Sequence, residues 1–205
     1  MRHKNSWLYR VARILMPPLA KLMYRYQLYN SNNIPLEGRF VIASNHVSNF
    51  DPILVSIGQK RQIYYMAKVE LFKIPIVRSV VKALGAFSVT RGANDQTALN
   101  SATELLNNDH VLGVFLEGHR SKTGEFLKPH SGAVMLAYQT NSPIVPVCIT
   151  PKNNISKVFR KTKIIYGDPI TPAELGILTG APKEFREASR KIMSIILQMR
   201  KEHEF

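Results

Sequence analysis

The sequence predicts an α/β fold: one domain with a mainly parallel sheet flanked by helices, plus an amphipathic two-helix appendage at the N-terminus. Three observations predict it. After Ile34-Pro35, short apolar runs alternate with helical stretches, the pattern of strand–helix–strand units. Before that point apolar residues recur at helical spacing, with Lys and Arg between them. The chain of 205 residues, 45% hydrophobic and 20% charged, is large enough for one proper core and shows no repeat, low-complexity tract or linker. The segments expected are therefore 1–32, a pair of docking helices, and 33–205, the α/β domain.

In the first segment Trp7, Leu8, Val11, Ile14, Leu15, Leu19, Leu22, Met23 and Tyr26 keep helical spacing, with Arg10, Arg13, Lys21 and Arg25 among them. Pro17-Pro18 is expected to divide the stretch into two short helices, because each ring removes a donor and Pro restricts the residue before it. A Trp-bearing apolar face flanked by cations suits a helix pair lying in a membrane interface; packing on the protein's own core would explain the same pattern.

In the second segment Phe40–Ser44, Ile63–Ala67, Ala86–Thr90, Val111–Leu116, Ile144–Ile149 and Lys163–Tyr166 read as strands, short and apolar. Pro52–Ile57, Leu71–Leu84, Asp95–Leu106 and Ala133–Thr140 read as the helices between them. Thr171-Pro172-Ala173-Glu174 has the form of a capping box with Pro at the first helical position. A final helix over Lys183–Lys201 lines Phe185, Ile192, Ile195, Ile196 and Met199 along one face.

Lys and Arg number 28 against 14 Asp and Glu, a net charge of +14 that calls for an anionic partner: nucleic acid, an anionic membrane, an acidic protein or a phosphorylated substrate. The longest run without Asp, Glu, Lys or Arg, Pro129 to Pro151, is too polar and too broken by proline for a membrane span. Arg10, Arg13 and Lys21 interrupt the N-terminal apolar stretches, and no small-residue cleavage site follows, so a signal peptide is not expected. The expected location is peripheral, on the cytoplasmic face of the cell membrane. The single cysteine, Cys148, sits in the apolar run IVPVCIT and reads as a buried, inert thiol.

Two segments carry polar side chains just past the ends of strands, where α/β folds place their sites. The first is Asn45-His46-Val47-Ser48-Asn49-Phe50-Asp51-Pro52, after Ser44. If the turn folds back so that His46 and Asp51 meet, the carboxylate fixes the imidazole's tautomer and steadies its charged form, and the far ring nitrogen can take a proton from a hydroxyl. The pair alone also fits a solvated turn, and no third ligand stands near enough for a metal. The second is Phe115-Leu116-Glu117-Gly118-His119-Arg120-Ser121, where a glycine turn and a guanidinium suit an anion. Arg91 ends the run Gly85-Ala86-Phe87-Ser88-Val89-Thr90-Arg91 in the same manner.

In order, NHVSNFD, the stretch from Lys68 to Arg91 with GAFSVTR, FLEGHRS and IVPVCI resemble the four motif blocks of the glycerolipid acyltransferase family, above all its bacterial 1-acylglycerol-3-phosphate acyltransferases. The resemblance runs from about Asn33 to Asp168. It implies an enzyme that moves a fatty acyl group from coenzyme A or acyl carrier protein to the free hydroxyl of a 1-acylglycerol-3-phosphate, giving phosphatidic acid for phospholipid synthesis. His46 would be the general base and Asp51 its partner, in the family's HX4D motif. The implied substrate-binding residues are Asn45, Arg91, Glu117, Gly118, Arg120 and Ser121, with the two arginines on the acceptor's phosphate and Glu117 and Gly118 shaping its loop. Pro146 falls in the fourth block. No metal and no cofactor are implied, since the thioester is a co-substrate.

The implied partners are an anionic membrane surface, a lysophosphatidic acid acceptor and an acyl thioester donor, all anionic and suited to a basic chain. Nucleic acid is not among them, since no recognised motif is present and the cations are spread along the chain. The third block departs from the usual Phe-Pro-Glu-Gly-Thr-Arg-Ser at Leu116 and His119, which leaves another lyso-lipid or glycerol-3-phosphate open as acceptor. From a different class, a non-catalytic basic module binding lipid or nucleic acid would share the charge without the chemistry.

Overall fold

Strand β2, Phe40–Ser44, reads FVIAS and is buried along its whole length. A strand apolar on both faces belongs inside a parallel sheet covered by helices on each side, and β2 occupies that place. In a computed structural model, which describes residues 7–73, 75, 78, 81, 82, 85–89 and 96–205 with the side chains at 8, 68 and 71 excepted, the remaining strands are β1 (Gln27–Tyr29), β3 (Ile63–Lys68), β4 (Phe87–Val89), β5 (Val111–Phe115), β6 (Ile144–Pro151) and β7 (Thr162–Tyr166). Their order in the sheet is β1-β7-β6-β2-β5-β3-β4. Every described pairing is parallel except β6 with β7, which are joined by a short connection and run antiparallel.

Alternation along the strands sorts the core into two layers. Val41 and Ala43 of β2 face α3 (Gln96–Asn107), α4 (Gly132–Gln139) and α5 (Pro182–Glu202), meeting Ala102, Leu106, Val134, Leu136, Ile192 and Ile196. Phe40 and Ile42 face the other way, toward α1 (Trp7–Tyr24) and α2 (Asp51–Ile57), where Ala20, Tyr24, Leu54 and Val55 cover them. Cys148 lies wholly buried in the first layer as a free thiol, and burial pushes its pKa up to about 12. Tyr166 is wholly buried in the second and donates its hydroxyl to the Val55 carbonyl at 2.9 Å.

The α/β architecture is as the sequence predicts, with strand ends shifted by a residue or two. Three expectations are corrected. Residues 7–24 form one helix that runs through Pro17 and Pro18, where two were expected. The prolines remove only the bonds to the carbonyls of Arg13 and Ile14, both on the exposed side where water can serve, while Tyr9 and Ala20 anchor the helix on either side. Gln27–Tyr29, inside the segment read as an appendage, pair with β7 as an edge strand. Its three residues are too few to show a period. The capping box at Thr171 forms, with Thr171 Oγ1 donating to Glu174 Oε2 at 2.6 Å and accepting from the Glu174 N–H at 3.3 Å. It opens only a turn, however, closed by Gly176 at φ 87°. Half of the helix expected over Leu71–Leu84 lies outside the described residues; Val69–Lys73 at its start form a 3₁₀ turn, and Pro75, Arg78, Val81 and Lys82 are helical.

Candidate active site

β2 and β5 lie side by side at the centre of the sheet, with Ser44 opposite Phe115. Their parallel pairing brings the chain after Ser44 and the chain after Phe115 to one edge, although the two segments are about seventy residues apart in sequence. The first of them folds tightly. Asp51 Oδ2 accepts the N–H groups of Val47 at 2.6 Å and Ser48 at 2.7 Å, and Ser48 Oγ accepts that of Phe50 at 3.2 Å. The loop thus wraps around the carboxylate, and α2 starts at Asp51 with Pro52 in an early position that needs no donor.

The wrapping brings His46 Nδ1 to 2.7 Å from the same Asp51 oxygen. Asp51 is wholly buried, and His46 is 9% exposed. Beside a carboxylate oxygen that accepts two backbone N–H groups, the tautomer with its proton on Nδ1 completes the set of donors and turns the Nε2 lone pair away from Asp51. Phe115 stacks on the imidazole with centroids 4.0 Å apart and planes at 14°, and Tyr65 stacks on the far face of that array at 5.8 Å from Phe115. Burial raises the Tyr65 phenol well above its usual range, so its hydroxyl stays protonated; it lies 3.2 Å from the Pro52 carbonyl, to which it donates. The ring of the base is therefore held at one edge by Asp51 and across its face by Phe115.

The second segment is stitched to the first. Glu117 is 1% exposed, and its two oxygens accept the N–H groups of His46 and Leu127, both at 3.2 Å. Burial pushes its carboxyl above the usual range, and these two bonds pull it back. The Ser121 N–H donates to the His46 carbonyl at 2.8 Å. Gly118 has φ 69°, and a Cβ there would meet His130 Cδ2 at 3.0 Å, so the turn requires glycine on both counts. Arg200, from α5, donates to the Gly124 carbonyl at 2.8 Å and lies 3.8 Å over the Phe126 ring, bracing the loop from behind.

The structure gathers His46, Asp51, Glu117, Gly118 and Ser121 into one site. Arg120 stands exposed on the loop beside them, and Ser121 Oγ is buried with no hydrogen-bond partner. Arg91 lies outside the described residues. Two expected substrate-binding residues have their polar side-chain atoms bonded to the backbone. The Asn45 side chain is wholly buried and bridges β2 to β6, donating to the Ile149 carbonyl at 2.9 Å and accepting its N–H at 2.8 Å. Glu117 has both oxygens bonded to the backbone of the loop, which suits the loop-shaping part expected of it. Pro146, in the fourth block, is a buried β6 residue opposite Ala43. Phe115, Tyr65 and Arg200 were not legible as parts of the site: the first two read as strand residues and the third as a cation on an amphipathic helix. Alongside, α1 and α2 enclose a cleft of about 120 Å³, lined by Tyr9, Met16, Ile53, Ser56 and Tyr65 among others.

A paired histidine and aspartate stand at the exit of a central strand, on an α/β sheet with a basic loop beside it. The acyltransferase family model matches residues 25–150, and the chain belongs to that family. It is similar to the 1-acyl-sn-glycerol-3-phosphate acyltransferase of Bacillus subtilis, 32% identical over 155 residues that cover 74% of this chain and 77% of that one. The protein of the same description from Borreliella burgdorferi is 28% identical over 126 residues, 60% of this chain and 50% of the relative. Among solved structures, the 1-acyl-sn-glycerophosphate acyltransferase PlsC from Thermotoga maritima superposes with a TM-score of 0.75 at 25% identity, over 95% of this chain and 78% of its own.

Proposed function

We propose that the protein transfers a fatty acyl group from a thioester to the free hydroxyl of 1-acylglycerol-3-phosphate, giving phosphatidic acid, at the surface of an anionic membrane. The observation that carries this is the 2.7 Å pairing of His46 Nδ1 with a buried Asp51. It leaves Nε2 to accept the acceptor's hydroxyl proton as the oxygen attacks the thioester carbonyl. Asp51 then stabilises the imidazolium, and the thiolate leaves as coenzyme A or carrier protein and takes up the proton. The attack is direct on this reading, because among the described residues no Ser or Cys side chain pairs with the dyad, and Cys148 is buried with its thiol held protonated. On this reading Ser121 Oγ, buried without a partner, bonds the acceptor, and the exposed Arg120 meets its phosphate.

The membrane role falls to α1. Trp7, Ile14, Leu15 and Leu22 are 59–73% exposed on one side of it, with Arg10, Lys21 and Arg25 exposed alongside. Among the described residues no helix is long and apolar enough to cross a membrane. A basic, apolar face of this kind lies in the interface plane, where anionic lipid adds about 1 kcal/mol per nearby cation.

Incubating the protein with a labelled acyl thioester and a panel of acceptors (lysophosphatidic acid, glycerol-3-phosphate and a phosphate-free lyso-lipid), then separating the products, tests the reading. Phosphatidic acid is the expected product, and Arg120→Ala should raise the KM for the phosphorylated acceptor while leaving donor dependence almost unchanged. Acylation of the phosphate-free lipid alone would overturn the acceptor assignment.

A further inference from the structure

The connection from β6 to β7 has a composition that the site does not use. Residues 152–161 read KNNISKVFRK, with Lys152, Lys157, Arg160 and Lys161 and no acid. Within them Ile155, Val158 and Phe159 are 40%, 46% and 67% exposed. A turn of this length normally shows polar residues to water; here apolar and cationic side chains alternate on the outside. The loop is also held in shape. The Lys152 N–H donates to the Lys161 carbonyl at 2.9 Å, closing its neck. Phe159 sits at φ 67°, a conformation uncommon for a large side chain, and its N–H donates to the Met23 carbonyl at 2.5 Å. A strained residue persists only where its surroundings hold it, and what holds it here is the last turn of α1. The bond sets Phe159 beside residue 23, next in sequence to Leu22, which is 68% exposed.

We propose that this loop is a second membrane-contact element, seating Val158 and Phe159 in an anionic lipid surface continuous with the exposed face of α1. The inference rests on the docking role given to α1. Lipid is favoured as the occupant because the loop repeats the chemistry of the helix it is bonded to, apolar side chains ringed by cations, and because the pinned backbone holds an aromatic side chain out in water. The loop also touches the site. The space beside Gly124 is filled by the Asn154 backbone, which leaves no room for a Cβ there, and the Gly124 carbonyl is the one Arg200 holds. Membrane contact at residues 155–159 is thereby joined through one packed turn to the loop that follows Ser121.

Trp7 is the only tryptophan in the chain, so Trp7→Phe with Phe159→Trp places a single reporter in the loop. The probe is a phosphatidylcholine/phosphatidylglycerol vesicle with brominated acyl chains, and co-sedimentation is measured on the same samples. The expected result is quenching of the residue-159 emission on binding. In the otherwise native chain, Val158→Ser with Phe159→Asn, which suits a positive φ, should weaken vesicle binding about ten-fold. Co-sedimentation without quenching, together with native-strength binding of the Ser/Asn variant, overturns the proposal and leaves the docking of α1 standing. If the unsubstituted protein fails to co-sediment, the docking role of α1 falls and this proposal with it. A response of the residue-159 emission to acyl carrier protein but not to vesicles would give the loop to an acidic protein and overturn it as well.

Discussion

His46 and Asp51 are five residues apart, a spacing that no helix or strand brings face to face. They meet because the residues between them give their N–H groups to the aspartate, so the carboxylate organises the loop before it orients the imidazole. The residue types and their spacing could be read in the sequence; the closing of the turn could not, since it depends on backbone donors that every residue carries. Asn45 has a structural place that its neighbours in sequence do not show. Lying next to the histidine it read as substrate-binding, whereas it ties two strands through Ile149. Asn45→Ala should therefore leave a buried N–H and carbonyl unpaired and lower stability by about 1–3 kcal/mol, measured by urea unfolding. An unchanged midpoint with a raised acceptor KM would return Asn45 to the substrate. Cys148 was legible from its apolar run alone. With its thiol pushed up to about 12 by burial, it should resist a thiol reagent at pH 8 in the native protein and react on unfolding.

Among the elements, strands were the most legible, because each is a short apolar run bounded by turn residues, and β2 has the limits the sequence suggests. The helix α1 was legible in its period and not in its continuity. Two adjacent prolines cost two bonds, and an anchored helix on either side outweighs that loss. Continuity matters, since one unbroken helix exposes Trp7, Ile14 and Leu22 while Ala20 and Tyr24 pack into the core. The helix thus has one side in the core and one apolar, basic side exposed, which is why its sequence supported both readings. Ile14→Ser with Leu22→Ser changes only the outward side. Each apolar side chain withdrawn from water contributes about 1.5–3 kcal/mol, so vesicle binding should fall at least ~10-fold with thermal unfolding unchanged. Retained binding would move the membrane contact elsewhere on the molecule.

On the scale of the whole molecule, the sheet order does what sequence order cannot. It sets β2 against β5, so that Glu117 clamps the chain at His46, and it sends α5 behind the loop, where Arg200 reaches Gly124. Of the four blocks that resemble the acyltransferase family, the first and third meet at the ends of β2 and β5. The physical joins between them, Phe115 on His46 and Arg200 on Phe126, arise only from the fold. A net charge of +14 adds attraction for an anionic donor, acceptor and membrane without fixing which surface meets each. The account stands on one chemical step, proton removal by His46. His46→Ala, folded as judged by its thermal unfolding, should turn over lysophosphatidic acid and acyl thioester at least ~10³-fold more slowly than the unsubstituted protein, with acceptor binding little changed. Turnover within a few-fold of the unsubstituted rate in that folded variant would contradict the account.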